Sequence, residues 1–276
     1  MHWRCRQRLI DLRQPAVMAI LNVTPDSFSD GGRFASTAAA IDRAAILVAE
    51  GAAIVDIGGE STRPGAQPVG ASEESARVVP VIEAIVARFD VAVSIDTSKP
   101  EVMAAAVEAG ACIVNDVYAL RVPGARDLAA NAGVGVCLMH MRGEPRTMQD
   151  DPRYDDVVAE VGRFLDVERA RCLDAGIAAD SIVLDPGIGF GKRIEHNFAL
   201  LRGIGSLLSL GSPVLVGVSR KSFIGRVLGR GVGERLYGGL GLAALAVAGG
   251  ARIVRTHDVA PTLDAIRMVD AVLRSE

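Results

Sequence analysis

Residues 37–52, TAAAIDRAAILVAEGA, place apolar side chains at helical spacing and meet a stop at Gly51. The fold is decided by what flanks this predicted helix. Ala16–Asn22, AVMAILN, precedes it, and Ile54–Gly59, IVDIGG, follows it; both are short apolar runs of the kind that form strands. Strand, helix and strand in that order make a parallel βαβ unit. The alternation continues through strand candidates at Val91–Thr97, Cys112–Asp116, Val134–His140, Ile182–Asp185, Val214–Ser219 and Arg252–His257. Eight such strands, with Ala/Leu-rich helical stretches between them, predict an α/β fold of the (β/α)8 TIM-barrel class. A doubly wound sheet would carry a glycine fingerprint after its first strand, and this chain has none there.

Composition agrees with a buried parallel sheet. Hydrophobic residues make up 50% of the 276 but aromatics only 4%, so the core must be built from Ala, Val, Ile and Leu. No linker or low-complexity stretch breaks the alternation, which predicts one domain over residues 1–276. Residues 1–15, MHWRCRQRLIDLRQP, read as a short basic N-terminal extension without the apolar stretch of a secretory signal. A net charge of -3 lends no electrostatic support to a nucleic-acid or membrane partner. The most apolar late segment, residues 239–254, reaches Arg252 too soon for a membrane span. Cys5, Cys112, Cys137 and Cys172 lack a CxxC pair, which argues against zinc or a disulfide framework and points to the reducing cytoplasm.

Barrels of this class place their active sites where strands end and the following loops begin. Those ends carry Asn22, Glu60 to Arg63, Asp96, Asn115 with Asp116, Met139 with His140, Asp185, Ser219 to Lys221, and Arg255 with His257. Asp96, Asn115, Asp185 and Lys221 mix acceptors and donors, a set suited to a flat heterocycle with a guanidine-like edge. A strand-end cap or a salt bridge to Lys221 would also account for any one of these aspartates alone. Arg255 and His257 lie two apart on the last strand and so share a face. With Arg63 and Asn22 from neighbouring strands they form a candidate polyanion site. SRKSF, residues 219–223, opens a helix and is a further anion candidate.

Two glycine- and proline-bearing loops, LNVTPDSFSDGG at 21–32 and GGESTRPGA at 58–66, fit lids over a substrate. The first also admits a metal loop, a phosphate cradle or an ordinary turn. DPGIGFGK, residues 185–192, is glycine-rich but lacks P-loop spacing.

With these motifs in order from residue 17 to 258, together with SIDTSKP, NDV, LMHMRGEPRTMQ, VGVSRKSFIG and RTHDV, the chain resembles the dihydropteroate synthase family, the folate-pathway target of sulfonamides. The resemblance implies condensation of 6-hydroxymethyl-7,8-dihydropterin pyrophosphate with para-aminobenzoate, giving 7,8-dihydropteroate and pyrophosphate, with Mg2+ as cofactor. It implies that Asp96, Asn115, Asp185 and Lys221 hold the pterin and that Asn22 meets the metal. Arg63, Arg255 and His257 would hold the pyrophosphate, and Thr62 would lie where the substrates meet. Pro64 and Phe190 would line the para-aminobenzoate pocket, with Ser222 at its carboxylate. Asp26 and Asp30 in the first loop, with Lys221, are the candidates for a catalytic role, and a homodimer through the last helices is implied. Tyr118 after NDV and Leu240 before the last helix depart from the family pattern and predict altered packing. A methyltetrahydrofolate-dependent methyltransferase would share the pterin residues but has no use for a pyrophosphate site. A silent pterin-binding paralogue would have eroded the first two loops, which read intact here.

Overall fold

The computed structural model describes residues 1–24, 32–61, 68–144 and 147–275. Eight parallel strands form the barrel: β3 (Ala16–Asn22), β4 (Ile54–Gly58), β5 (Ala92–Asp96), β6 (Ile113–Asp116), β7 (Gly135–Met139), β8 (Ile182–Asp185), β9 (Leu215–Gly217) and β10 (Ile253–Thr256). They pair in the order β8, β7, β6, β5, β4, β3, β10, β9. The seam closes through a parallel bridge between Leu184 and Val214, beside the bond from the Leu184 N–H to the Pro213 carbonyl at 3.0 Å. Each of the eight predicted strands is present, trimmed by at most two residues at an end.

Helices α1 (Gly32–Ala49), α2 (Ala71–Arg88), α3 (Pro100–Glu108), α4 (Ala125–Ala132), α5 (Val157–Asp174), α6 (Ile194–Arg202), α7 (Ile204–Leu208), α8 (Ser222–Leu228), α9 (Leu236–Ala248) and α10 (Val259–Arg274) follow the strands. Local chemistry sets several of their ends. Pro100 opens α3, where its missing N–H costs nothing. The Asp156 carboxylate caps α5 by accepting from the Val158 and Ala159 N–H groups.

The period of two along each strand divides the core. Val17, Ala19, Leu21, Val55, Ile57, Val93 and Ile95 belong to the large cluster that packs beneath the helices. The alternate residues Met18, Ile54, Ala92, Ile113, Cys137, Val183, Leu215 and Ile253, one per strand, form a second cluster inside the barrel.

Trp3, Cys5 and Leu12 join that inner cluster and are fully buried. They come from a segment that its sequence presented as a basic extension. In the structure β1 (His2–Cys5) and β2 (Arg8–Asp11) form an antiparallel hairpin across the base of the barrel. Its arginines are anchors: Arg4 pairs with Asp180 at 2.9 Å, Arg8 with Asp90 at 2.7 Å, and the Arg6 guanidinium donates to the Val107 carbonyl at 3.1 Å. The Trp3 indole N–H donates to the Ser181 carbonyl at 2.9 Å. The seat is close: a Cβ added at Gly135 would come within 2.6 Å of Cys5 Sγ. No helix of the described residues is long and apolar enough to cross a membrane.

Candidate active site

Two residues beyond the inner apolar layer, the same inward positions hold Asp56, Ser94, Asn115, Met139, Asp185, Gly217 and Arg255. Pairing sets the topmost row, in which Asn22 lies beside Gly58, Gly58 beside Asp96 and Asp96 beside Asn115. The predicted strand-end residues are therefore brought to one mouth. A Cβ added at Gly58 would sit 3.8 Å from both Asn22 Oδ1 and Asp96 Oδ2, at ordinary contact distance. Glycine there leaves a cradle between two oxygen-bearing side chains.

Arg255 is the hub of the mouth. Its Nε donates to Asp56 Oδ2 and its Nη2 to Asp96 Oδ2, each at 2.6 Å, while Asn115 Nδ2 donates to the same Asp56 oxygen at 3.0 Å. Arg255, expected from its sequence position among the anion-binding cations, has its guanidinium clamped in addition by two carboxylates inside the barrel. Asp56, which no strand-end motif of the sequence marks, is wholly buried, and its Oδ1 has no hydrogen-bond partner among the described residues. Its signal was the inward period: Asp56 is two residues before Gly58 on the same face.

Burial pushes the Asp96 carboxyl up to about 7 against the opposing pull of Arg255, with the Asp56 charge adding to the rise. Asp185 is likewise raised by burial, opposed by the Gly187 N–H that donates to its Oδ1 at 2.7 Å and by Lys221. Burial lowers Lys221 to about 8, against the attraction of Asp185. The Lys221 ammonium rests 4.0 Å from the centre of the Phe190 ring.

The DPGIGFGK loop owes its glycines to backbone packing. Gly187, Gly189 and Gly191 all have positive φ. A Cβ at Gly187 would fall 1.9 Å from the His140 carbonyl oxygen, and one at Gly191 would fall 2.3 Å from that of Arg142. The loop is pressed onto the chain leaving β7, a place only glycine can occupy. Asn197 accepts from the Gly189 N–H at 2.7 Å and fixes the loop to α6.

The remaining candidates are arranged as follows. His257 follows β10, with Nδ1 3.0 Å from Ser219 Oγ and its carbonyl bonded to Arg43 of α1. Ser222 is exposed at the start of α8. Arg220, of the SRKSF segment, turns to Asp258 at 2.6 Å. Asp26, Asp30, Thr62, Arg63 and Pro64 lie outside the described residues. One support of the second loop is described: Glu60 accepts from the Val69 N–H at 3.0 Å, and Lys99 joins Glu60 to the buried Glu74. Tyr118 packs with Phe190 onto Val117, Met139, Met141 and Met148, and Leu240 lines a crevice between α9 and the ends of β9 and β10.

Comparison with known proteins bears on this mouth. A family described as pterin binding enzyme matches residues 18–257. The dihydropteroate synthase of Escherichia coli K12 is 52% identical over 267 residues, covering 97% of this chain and 95% of the relative. The chain belongs to the dihydropteroate synthase family. A solved dihydropteroate synthase of Yersinia pestis, in complex with a sulfonamide drug, superposes with a TM-score of 0.94 at 46% identity, covering all of both chains. That of Xanthomonas albilineans in complex with 7,8-dihydropteroate gives 0.91 at 45%, again over both chains entirely. As a dihydropteroate synthase, the chain is a transferase of folate biosynthesis that condenses the dihydropterin pyrophosphate with para-aminobenzoate.

Proposed function

We propose that the whole chain acts as one pterin-binding domain whose mouth divides the synthase reaction among the residues above. The observation that carries this division is the pairing of opposite charges in the barrel: Arg255 between Asp56 and Asp96, and Lys221 beside Asp185 and over Phe190. Asp96, Asn115 and Asp185 offer acceptors to the N–H edge of the pterin, and Lys221 offers a donor to its carbonyl edge. Para-aminobenzoate lies against Phe190 and Pro64, with its carboxylate toward Ser222 and the first N–H groups of α8. Arg63, Arg255 and His257 face the pyrophosphate, and Thr62 stands between the two substrates.

Little proton transfer is needed for the chemistry. The electron-rich pterin delocalises positive charge on its methylene as the carbon–oxygen bond breaks, so the pyrophosphate leaves early and carries the developing negative charge. Cationic side chains around it stabilise that charge. The arylamine then attacks and loses its proton to water or to the first loop, where Asp26 and Asp30 are the candidates. Positioning two substrates in one cradle is the larger demand.

Mg2+ suits this site as a hard cation bound by oxygen. Asn22 Oδ1 faces the Gly58 cradle, and the described residues contain no group of three His, Cys, Asp or Glu that could hold a metal alone. The protein would supply Asn22, with the remaining coordination from water and the pyrophosphate. When bound, the ion would neutralise charge on the leaving group. Chelation with EDTA should abolish turnover and added Mg2+ should restore it.

Exposed Leu245 on α9 and Met268, Val272 and Leu273 on α10, each at least 46% accessible, support a homodimer through these last helices. The four cysteines are free and buried, in keeping with the cytoplasm. The deciding experiment incubates purified protein with Mg2+, pterin pyrophosphate and para-aminobenzoate and follows pyrophosphate release. Release that continues unchanged after Arg255→Ala or Lys221→Met would refute the assigned roles.

A further inference from the structure

Lys192 ends the DPGIGFGK loop, and none of the roles assigned above uses it. Its side chain is 3% exposed. Nζ lies 3.0 Å from the Phe190 carbonyl oxygen, 3.3 Å from that of His140 and 3.0 Å from His140 Nδ1. Burial lowers the Lys192 amine to about 7 against the attraction of Asp185; in its ammonium form it has three protons and no lone pair, and these acceptors take all three. His140 can accept because it is neutral: burial, reinforced by the Lys192 charge, holds its pKa down to about 2. Its ring is fixed edge-on against Phe164, with centroids 4.9 Å apart.

Three successive carbonyls of the loop are held by three different donors. Gly189 accepts from Gln149 Nε2 at 2.6 Å, Phe190 from Lys192, and Gly191 from the Tyr154 hydroxyl at 2.9 Å. Gln149 is exposed and Tyr154 half-buried, whereas Lys192 is buried and, in its charged form, is the one cationic donor among them. Its bond is therefore the strongest of the three. It also reaches the end of β7 through His140, so one amine joins the barrel wall to the peptide that aims the Phe190 ring. That ring in turn carries the Lys221 ammonium.

We propose that Lys192 is a positioning residue for the aromatic amine substrate, acting through the Phe190 peptide. The proposal rests on the assignment of Phe190 to the para-aminobenzoate pocket. Without the Lys192 amine the buried His140 carbonyl, the part-buried Phe190 carbonyl and a ring nitrogen lose this donor, and the Phe190 peptide loses its tie to the end of β7. The pterin contacts of Asp96 and Asn115 belong to β5 and β6 and keep their own partners, while Asp185 loses the attraction of the Lys192 charge but keeps the Gly187 N–H and Lys221.

Steady-state pyrophosphate release, with each substrate varied in turn, tests this in wild type, Lys192→Met and Lys192→Arg. Lys192→Met is expected to raise KM for para-aminobenzoate about tenfold, the scale of one charged hydrogen bond, and KM for the pterin pyrophosphate less than about threefold. Lys192→Arg, which retains a buried cationic donor, should recover most of the loss. In a Phe190→Ala background Lys192→Met should add less than about twofold, because coupled residues are not additive. Should Lys192→Met fail to fold, Lys192→Gln carries the same test, with an expected rise of about threefold for its neutral donor. Equal rises in both KM values, no rise in that for para-aminobenzoate, or a full additional loss without Phe190 would each overturn the proposal. Absence of release by wild-type protein would count against the synthase assignment instead.

Discussion

At the base of the barrel, Met18, Ile54, Ala92, Ile113, Cys137, Val183, Leu215 and Ile253 meet Trp3, Cys5 and Leu12 in an apolar plug. Two residues further along the same strands, the inward positions hold Asp56, Asn115, Asp185 and Arg255, with glycine at 217. The strands and their pleat are shared by both layers, yet one layer is filled by hydrocarbon and the other, beside the apolar Ile20 and Met139, gathers buried acids, an amide and an arginine around a cradle. Burial of apolar surface favours the fold at about 25 cal/mol per Å². Buried charge pairs contribute little net stability, because desolvation offsets their attraction. The base is therefore where stability is concentrated and the mouth is where recognition is concentrated.

The largest expected effect breaks the base. Trp3→Ala should cost about 3–5 kcal/mol of unfolding free energy while leaving pterin affinity in the folded protein within about twofold, since sites this far apart act independently. Circular dichroism in urea is the suitable probe, because Trp3 is the sole tryptophan and its fluorescence disappears with the substitution. A loss of pterin binding equal to the loss of stability would erase the distinction between the two ends.

At the mouth, the effect of pH is smaller and has a definite sign. Lys221 titrates at about 8, so it is charged below that pH and neutral above it. Pterin affinity should be highest between about pH 7, above which Asp96 is a carboxylate, and about pH 8, and fall as pH rises further, by tenfold or more if one charged hydrogen bond of about 1.5–3 kcal/mol is lost. Lys221→Arg keeps its charge over this range and should remove the step. Calorimetric titration at pH 7.5 and 9.5 measures both proteins.

Gly58→Ala sharpens the contrast further. The added methyl finds only ordinary contacts, so unfolding free energy should change by less than about 1 kcal/mol, as glycine to alanine does where space and φ allow. It would enter the cradle between Asn22 and Asp96, and ligand affinity should fall about tenfold, the scale of modest overpacking. The smallest effect is expected at the hairpin rim. The Arg8 and Asp90 side chains are 43% and 94% accessible, and Arg8→Ala should shift stability by no more than about 1 kcal/mol. A loss as large as that of Trp3→Ala would mean that ion pairs, not the apolar plug, hold the base.

The barrel was legible because strands such as AVMAILN and IVDIGG are mostly apolar, and most of the helical stretches between them end on glycine. The strand ends could be gathered into one rim because the fold class says where they point. What escaped was non-local. The partners of Arg255 lie 199 and 159 residues away, and no spacing announces such a pair. Lys192 follows three conspicuous glycines that draw attention from it, although two of its three acceptors belong to His140, the residue after β7. The hairpin was hidden by its arginines: HWRC alternates exposed and buried residues, but four residues are a faint strand signal beside so much positive charge.

That hairpin also orders events during folding. Trp3 donates to a carbonyl 178 residues later in the chain, and Arg4 pairs with Asp180. Residues 2–11 leave the ribosome long before their seat exists, and contacts of such sequence separation form slowly. Until β7 and the turn at residues 179–181 have been made, the indole and the Cys5 thiol have nowhere dry to go. The plug is therefore set after the wall it seals, and an early segment of the chain waits as an exposed, adhesive strand pair until the barrel around it is nearly complete.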